Sequence, residues 1–275
     1  MPRTLRPLTA PGTPVARGRL HGDAFSYACS GRESLACRHS VTLVAALAEG
    51  CPLVQSAGGS AQGRLLLVAP MVERQLWAAG VPVLLLDLEP THPRYRCFLP
   101  VAGAQGVCSL DHLGFDELSR VGRDMLGGAL AGPALDQAMR AAVRSLAQRF
   151  AQPPELDDRV RWMMTELQND PARSLSVLSD QLGLSVEYAS RLFSSQLGLP
   201  LRVYALSCKI RLAARFMGAE TSLTEVAQMA GFADSAHFAK VWTRCYGAPP
   251  SNYFPPRRMH MDDQGLPGWI QPPAF

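Results

Sequence analysis

The segment from Gly231 to Trp242 constrains the fold of this chain more than any other. Gly231 suits a tight turn, and Asp234 suits the cap of a following helix, because its carboxylate can accept from the first amides. Apolar side chains then recur at helical spacing and predict a buried stripe: Phe238, Val241 and Trp242. The pattern predicts the second half of a helix-turn-helix, with a helix over residues 235–246 that ends at Gly247.

The other side of this predicted helix carries small, polar and basic side chains. They are Ser235, Ala236, His237, Ala239, Lys240 and Arg244. Such residues suit a helix that lies in the major groove of DNA, where side chains hydrogen-bond to base edges. We therefore predict that they form a DNA-contacting surface.

A second unit of the same kind lies upstream. Residues 174–182 predict its first helix, which we call the supporting helix, and Gly183 predicts the turn that follows. Residues 185–197 predict its second helix, which would contact the bases and which we call the reading helix. The side chains predicted to face DNA are Ser185, Glu187, Tyr188, Ser190 and Arg191, and those predicted to be buried are Ala189, Leu192 and Phe193. Arg191 could bind guanine through two hydrogen bonds or clamp a phosphate, whereas Glu187 could accept from cytosine or be a solvated first-turn acid.

Composition places the chain among globular proteins with room for about two domains. Its 275 residues are 47% hydrophobic and carry a net charge of +4. Because DNA-binding domains are often far more basic, the DNA prediction rests on the pattern and not on charge. The 7 cysteines are scattered, so we expect free thiols in a cytoplasmic protein. No apolar run approaches the roughly 18 residues of a membrane span, so no membrane association is expected.

The front of the chain has a different texture. Residues 19–108 hold short apolar runs broken by Gly and Pro, which predict strands of a small barrel or sandwich. One run, residues 41–48, is also compatible with a helix on propensity. Residues 116–130 and 135–150 have helical periodicity and predict an antiparallel hairpin. An exposed apolar face on that hairpin would suit dimerisation.

A set of motifs keeps its spacing along residues 157–258. The motifs are Leu182-Gly183-Leu184-Ser185, Arg191-Leu192-Phe193, Gly198, Arg211-Leu212-Ala213, Gly231-Phe232-x-Asp234-x-x-His237-Phe238, Gly247, Pro250 and Tyr253. This set resembles the DNA-binding domain of the AraC/XylS family of bacterial transcription regulators. Three positions depart from the family pattern: Ala189, Trp242 and Phe254. The resemblance implies that helices 185–196 and 235–246 enter the major groove and that the domain recruits or positions RNA polymerase.

Residues 1–150 more loosely resemble the cupin-like sensing domain that many members of this family carry. A small barrel can hold a ligand in its mouth, and we predict that His39 and Trp77 contribute to an effector site, with core packing as the alternative for Trp77. His39 has no second histidine beside it, so we expect neither a metal nor another cofactor. Two Cys/His groups are each compatible with a thiol sensor, a soft-metal site or plain core: Cys29, Cys37 and His39, and Cys97, Cys108 and His112.

The sequence thus predicts an α+β fold. A cupin-like β-barrel with a helical hairpin at 1–150 precedes an all-α domain with two helix-turn-helix units at 157–258 and a tail at 259–275. The leading hypothesis is a sequence-specific transcription regulator that binds double-stranded DNA, responds to a small-molecule effector and performs no catalysis; a homodimer is a further expectation. The alternatives are a constitutive regulator whose N-terminal domain only dimerises, and a cupin-like enzyme fused to a DNA-binding module.

Overall fold

The computed structural model describes residues 16–114, 116–216, 221–252 and 260–261. Several sequence predictions lie outside these residues. They are residues 1–14, whose Pro- and Thr-rich composition predicts disorder, the end of a helix predicted over residues 200–217, the family position Tyr253, the departure at Phe254 and most of the tail at 259–275.

The N-terminal domain is built from two antiparallel sheets that pack against each other and together form the barrel. Its strands are β1 Ala16–Leu20, β2 Ala24–Cys29, β3 Arg32–Cys37, β4 Val41–Ala46, β5 Leu53–Ser56, β6 Gly59–Gln62, β7 Leu65–Val68, β8 Glu73–Ala78, β9 Val83–Leu88 and β10 Val107–Ser109. One sheet has the order β10-β7-β4-β9-β2-β1, and the other β3-β8-β5-β6. Residues His260–Met261 form β11, which pairs in parallel with β1. The run at 41–48 is therefore strand and not helix.

Alternation along the buried strands sends side chains to two different cores. In β7, Leu65 and Leu67 pack in the core shared with the helices, whereas Leu66 and Val68 pack in the core between the two sheets. The same alternation runs through β4 and β9. Because successive strand side chains point to opposite faces, each of these strands contributes apolar side chains to both cores, with Thr42 in β4 and Asp87 in β9 as buried polar exceptions.

Two helices cover the outer face of the larger sheet. They are α2 Asp116–Gly127 and α3 Gly132–Ala147, and a four-residue helix, α1 Tyr95–Phe98, precedes them. The two predicted helices are confirmed, but α3 begins at Gly132 and not at residue 135, since Pro133 suits a first helical turn. The apolar faces of α2 and α3 are buried against the barrel. The apolar dimerisation face predicted for this hairpin is therefore already used in packing.

A buried polar cluster fastens α3 to the barrel. Asp136 accepts from Arg19 and from His21 at 2.6 Å each, and the other ring nitrogen of His21 lies 2.7 Å from the Ser26 hydroxyl. Hydrogen bonds from these two side chains hold the pKa of Asp136 well below its usual range, although burial acts against them. A charged pair at a buried helix–sheet contact needs this full set of partners to be tolerated.

The C-terminal domain is all helical within the described residues. Its helices are α4 Asp158–Asn169, α5 Leu175–Gln181, α6 Val186–Leu197, α7 Leu201–Ala214, α8 Leu223–Met229 and α9 Ser235–Tyr246. Helices α5 and α6 form the first helix-turn-helix unit, α8 and α9 form the second, and α7 connects them. The α+β fold predicted from the sequence is confirmed, with strands in the first domain and helices in the second.

Candidate nucleic-acid interface

The first unit is shaped by three local signals in its sequence. The Ser174 and Ser185 hydroxyls cap α5 and α6 by accepting from the amides of Val177 and Tyr188 at 3.3 and 3.2 Å. Between them, Gly183 adopts a φ of 64°, a left-handed conformation that favours glycine. These signals fix where the supporting helix ends and where the reading helix α6 begins.

The second unit repeats this construction with different residues. Ser222 and Glu225 form a capping box at the start of α8, and the Asp234 carboxylate accepts from the His237 amide at 2.6 Å at the start of α9. Gly231 makes the turn with a φ of 76°. The cap predicted at Asp234 is confirmed, and Ser185 has the same role in the first unit.

Most of the side chains predicted to face DNA are on the surface. Those that are exposed are Ser185, Glu187, Tyr188, Arg191, Ala236, His237, Lys240 and Arg244, and those that are half-buried are Ser190, Ser235 and Ala239. Opposite them, Ala189, Phe193, Phe238 and Trp242 are buried, while Leu192 and Val241, predicted to be buried, are only half-buried. Each reading helix thus has a solvent-facing side opposite its buried side. The roles of the exposed side chains in base contact stay predictions.

An arginine outside both units belongs beside this surface. The Arg159 guanidinium lies 5.6 Å from the centre of the Tyr188 ring and forms an ion pair with Asp157 at 2.7 Å. The hydrogen bonds from Arg159 lower the pKa of Asp157 to about 2. Sequence reasoning missed Arg159 because it lies in α4, which has no helix-turn-helix signature.

The C-terminal end of each reading helix contacts the N-terminal domain. At the end of α6, Tyr95 donates to the Leu197 carbonyl at 3.0 Å and Arg96 to the Gln196 carbonyl at 3.1 Å. At the end of α9, the Arg38 guanidinium lies 3.8 Å from the centre of the Tyr246 ring. Such a buried cation–π contact is among the stronger ones.

Further contacts join α9 to the barrel. The Phe25 ring meets Tyr246 edge to face at 6.1 Å, and the Cys245 thiol lies 3.8 Å from Nε2 of His39. The exposed Arg244 of α9 is close enough to His39 for its positive charge to lower the pKa of the His39 ring. Burial, Arg244 and then Arg38 lower the pKa of His39 to about 4, so its ring is neutral at pH 7.

The two residues predicted for an effector site lie far apart. His39 is buried in the turn after β3 and not in a strand, while Trp77 is exposed on β8 opposite Glu33. Six residues separate Glu33 from His39, or roughly 20 Å at the rise of a strand. The structure therefore does not bring His39 and Trp77 into one pocket, and an effector role for either stays a prediction.

The cysteine groups show no metal-binding arrangement in the described part of the chain. All seven cysteines are free thiols, and the four proposed as sensors or ligands are buried or half-buried: Cys29, Cys97 and Cys108 in or against the apolar cores, and Cys37 in β3. No group of three or more His, Cys, Asp or Glu side chains among the described residues could hold a metal ion. Burial raises the pKa of the Cys108 thiol, which disfavours the reactive thiolate.

Comparison with known proteins agrees with this architecture. The family described as "Helix-turn-helix domain" matches residues 178–255, which span both units. ToxT from Vibrio cholerae has a similar fold: an apo variant from strain SCE256 and the protein from strain O395 superpose with TM-scores of 0.57 and 0.56 at 12% identity, covering 84% of this chain and 97% and 96% of theirs. No curated protein matched the sequence.

These findings define the class of protein. The chain is a DNA-binding transcription regulator. Residues 178–255 form a helix-turn-helix domain, and the resemblance of this part of the chain to the AraC/XylS family is confirmed. Among the described residues, no helix combines the length and apolarity needed to cross a membrane.

Proposed function

We propose that the protein binds specific DNA sites through α6 and α9 and that a small-molecule effector in the N-terminal domain controls this binding. The observation that carries the proposal is the contact between Arg38 and Tyr246, which joins the barrel to the last turn of the second reading helix. An event that moves Arg38 acts directly on α9. The protein performs no covalent chemistry in this proposal.

The barrel next to this contact holds a buried polar network. The Thr42 hydroxyl donates to Asp87 at 2.6 Å, Arg38 pairs with the same carboxylate at 3.0 Å, and Arg74 donates to Thr42 at 3.1 Å. The core next to this network, between the two sheets, consists of aliphatic side chains from both sheets. Small-molecule sites combine apolar walls with a few placed polar groups, and guanidinium groups favour an anionic group in the ligand.

Ligand-bound relatives in fold support the same chemical class. ToxT has been crystallised with an unsaturated fatty acid and with (E)-4-(8-methylnaphthalen-1-yl)but-3-enoic acid, at TM-scores of 0.51 and 0.55 and 12% identity to this chain. Both are carboxylic acids with an apolar body. We extend this to an effector that places an acidic group near Arg38 and Arg74 and an apolar group between the sheets.

One geometric feature raises the alternative of an enzyme. The Ser26, His21 and Asp136 side chains are hydrogen-bonded in the order of a serine hydrolase triad, at 2.7 and 2.6 Å. However, Ser26 is 0% exposed and His21 8%, and the serine hydroxyl also points at the sulfur of Met125. A substrate carbonyl could not reach this hydroxyl, so we interpret the cluster as the fastening between α3 and the barrel.

The test is a ligand screen on the full-length chain. Small organic acids should raise the unfolding midpoint, because a ligand that binds only the folded state stabilises it. They should also change the affinity for a DNA duplex selected by the protein from a random pool, and Arg38→Gln should abolish both effects. A regulator that is constitutive and merely dimerises would bind this duplex equally with and without every acid tested, and its oligomeric state, by sedimentation, would depend on concentration.

A further inference from the structure

A groove in the C-terminal domain runs between α5, α6 and α7. It encloses about 530 Å³, and its walls include Ser174 at the start of α5, Ser190 in α6, and Arg202 and Lys209 in α7. Ser190 belongs to the surface predicted to face DNA. One end of the groove therefore opens at the first reading helix.

The other end of the groove lies at the second unit. Lys209 donates to the carbonyl of Gly231 at 2.6 Å, and Gly231 is the turn that precedes α9. Arg202 and Lys209 are seven residues apart in one helix, so they lie on the same face, two turns from one another. The exposed side of α7 thus connects the two reading helices.

The groove is positively charged. Its cations are Arg173, Arg202 and Lys209, and among the described residues that line it no side chain is acidic. Arg173 forms ion pairs with Glu166 of α4 and, at 3.9 Å, with Asp170, which hold its guanidinium in place and compensate its charge, whereas Arg202 is exposed. Such a lining suits the oxygens of a phosphate group.

We propose that this groove binds the DNA backbone between the two major-groove sites. Two reading helices in successive major grooves leave one stretch of intervening phosphates facing the element that joins them, here α7. Arg202 and Lys209 neutralise these phosphates, Arg173 supports them, and the contact positions the protein without reading sequence. The inference rests on DNA binding by α6 and α9.

The test measures the dissociation constant of the full-length protein at several salt concentrations, by fluorescence anisotropy. The probes are the duplex selected from a random pool and an unrelated duplex of equal length. Arg202→Ala should weaken binding to both by a similar factor, up to about tenfold, and should reduce the slope of log affinity against log salt by about one. Arg202→Lys should retain the wild-type slope, and Arg140→Ala, which removes an exposed arginine from α3, should change neither.

Two outcomes would overturn the inference. An unchanged salt slope in Arg202→Ala would show that the groove does not contact phosphates. The second outcome is that inorganic phosphate at constant ionic strength stabilises the wild-type protein but not Arg202→Ala, while the salt slope of DNA binding is the same in both. The groove would then bind a small anion and not DNA. The Arg191→Ala variant in the same assay separates this from the proposed function, because it should reduce the preference for the selected duplex; a wild-type protein without that preference would contradict the proposed function itself.

Discussion

The two helix-turn-helix units are alike in construction and different in attachment. Their reading helices α6 and α9 have 12 residues each and end at a left-handed glycine, Gly198 with a φ of 67° and Gly247 with a φ of 72°. The eighth residue of each is its main buried aromatic, Phe193 in the first and Trp242 in the second. The same local signals therefore produced both helices.

Their cores differ in what they are connected to. Phe193 and Leu197 of the first unit belong to one continuous core with Tyr95 and Phe98 of the N-terminal domain. The second unit has a core of its own, in which the Trp242 ring stacks on Tyr246 and meets Phe238 edge to face, and to which the barrel contributes the buried Phe25. We infer that loosening of the first unit's core spreads into the N-terminal domain, whereas loosening of the second unit's core stays mainly within α8 and α9.

The reading surfaces differ as well. Positions 187, 188 and 191 of the first unit carry Glu, Tyr and Arg, and the corresponding positions of the second carry Ala236, His237 and Lys240. We predict that the first surface discriminates bases through long side chains that can make paired hydrogen bonds. For the second we predict a closer approach of the backbone to DNA at Ala236 and a phosphate contact by the compact cation of Lys240.

Truncation of the two equivalent aromatics should have the largest effect. Phe193→Ala and Trp242→Ala should each cost about 3–5 kcal/mol, because both side chains are fully buried. We expect Phe193→Ala to lower protection from hydrogen exchange in both domains, and Trp242→Ala to lower it in α8 and α9 alone. Amide exchange by mass spectrometry measures this, with the exposed Thr243→Ala as control. Equal loss of protection in the barrel for both variants would contradict the separation of the cores.

The two terminal glycines test the attachment directly. Alanine at either position should cost about 1–2 kcal/mol of left-handed strain. At Gly198 a new Cβ would lie 3.3 Å from a flexible Leu99 methyl group, but at Gly247 it would lie 2.5 Å from the backbone oxygen of Leu35. Gly247→Ala should therefore destabilise the protein more, by displacing α9 from β3. Equal losses in the free energy of unfolding by urea would show that this contact is looser than described.

Loss of one cation from each reading surface should affect DNA binding and not folding. Arg191→Ala should cost about 1–3 kcal/mol on a selected duplex and reduce discrimination between duplexes, whereas Lys240→Ala should weaken binding to all duplexes similarly. Anisotropy titrations on selected and scrambled duplexes measure both, with circular dichroism to establish folding. If both variants kept wild-type affinity, the assignment of the reading helices would be wrong.

The second unit was the easier part to predict from the sequence, and the reason is physical. Gly231, Asp234 and the stripe from Phe238 to Trp242 are local determinants, since turns, caps and helical periodicity act over a few residues. The same kinds of local signal, at Gly183 and Ser185, identified the first unit upstream.

Elements whose stability comes from distant partners were missed. Strand β1 has a polar sequence that does not indicate a buried strand. Its Arg19 and the neighbouring His21 are buried because they pair with Asp136, which is more than one hundred residues away. Helix α1 has four residues, too few to show a helical hydrophobic pattern. Its Tyr95 nevertheless donates a hydrogen bond to the last residue of the first reading helix. The attachments of α6 and α9 were unpredictable for the same reason, and with them the polar network beside Arg38.

A charge at the domain boundary should have the smallest effect. Burial raises the pKa of Glu89 from an ordinary 4.5 to about 7, with Arg211 and Arg38 acting against burial and Asp87 and Asp23 adding to it. The folded state therefore binds more protons than the unfolded state between pH 4.5 and 7, and stability falls as pH rises through this window.

Glu89→Gln should remove that fall and raise stability at pH 8 by on the order of 1 kcal/mol. His39 acts in the opposite sense, since its lowered pKa makes stability rise between about pH 4 and 6.5. Because His39 is present in both proteins, the difference between variant and wild type isolates Glu89. Urea unfolding at a series of pH values measures it. If the difference in unfolding free energy between variant and wild type did not depend on pH, Glu89 would have the same pKa in the folded and unfolded states. Its carboxylate would then be in contact with water.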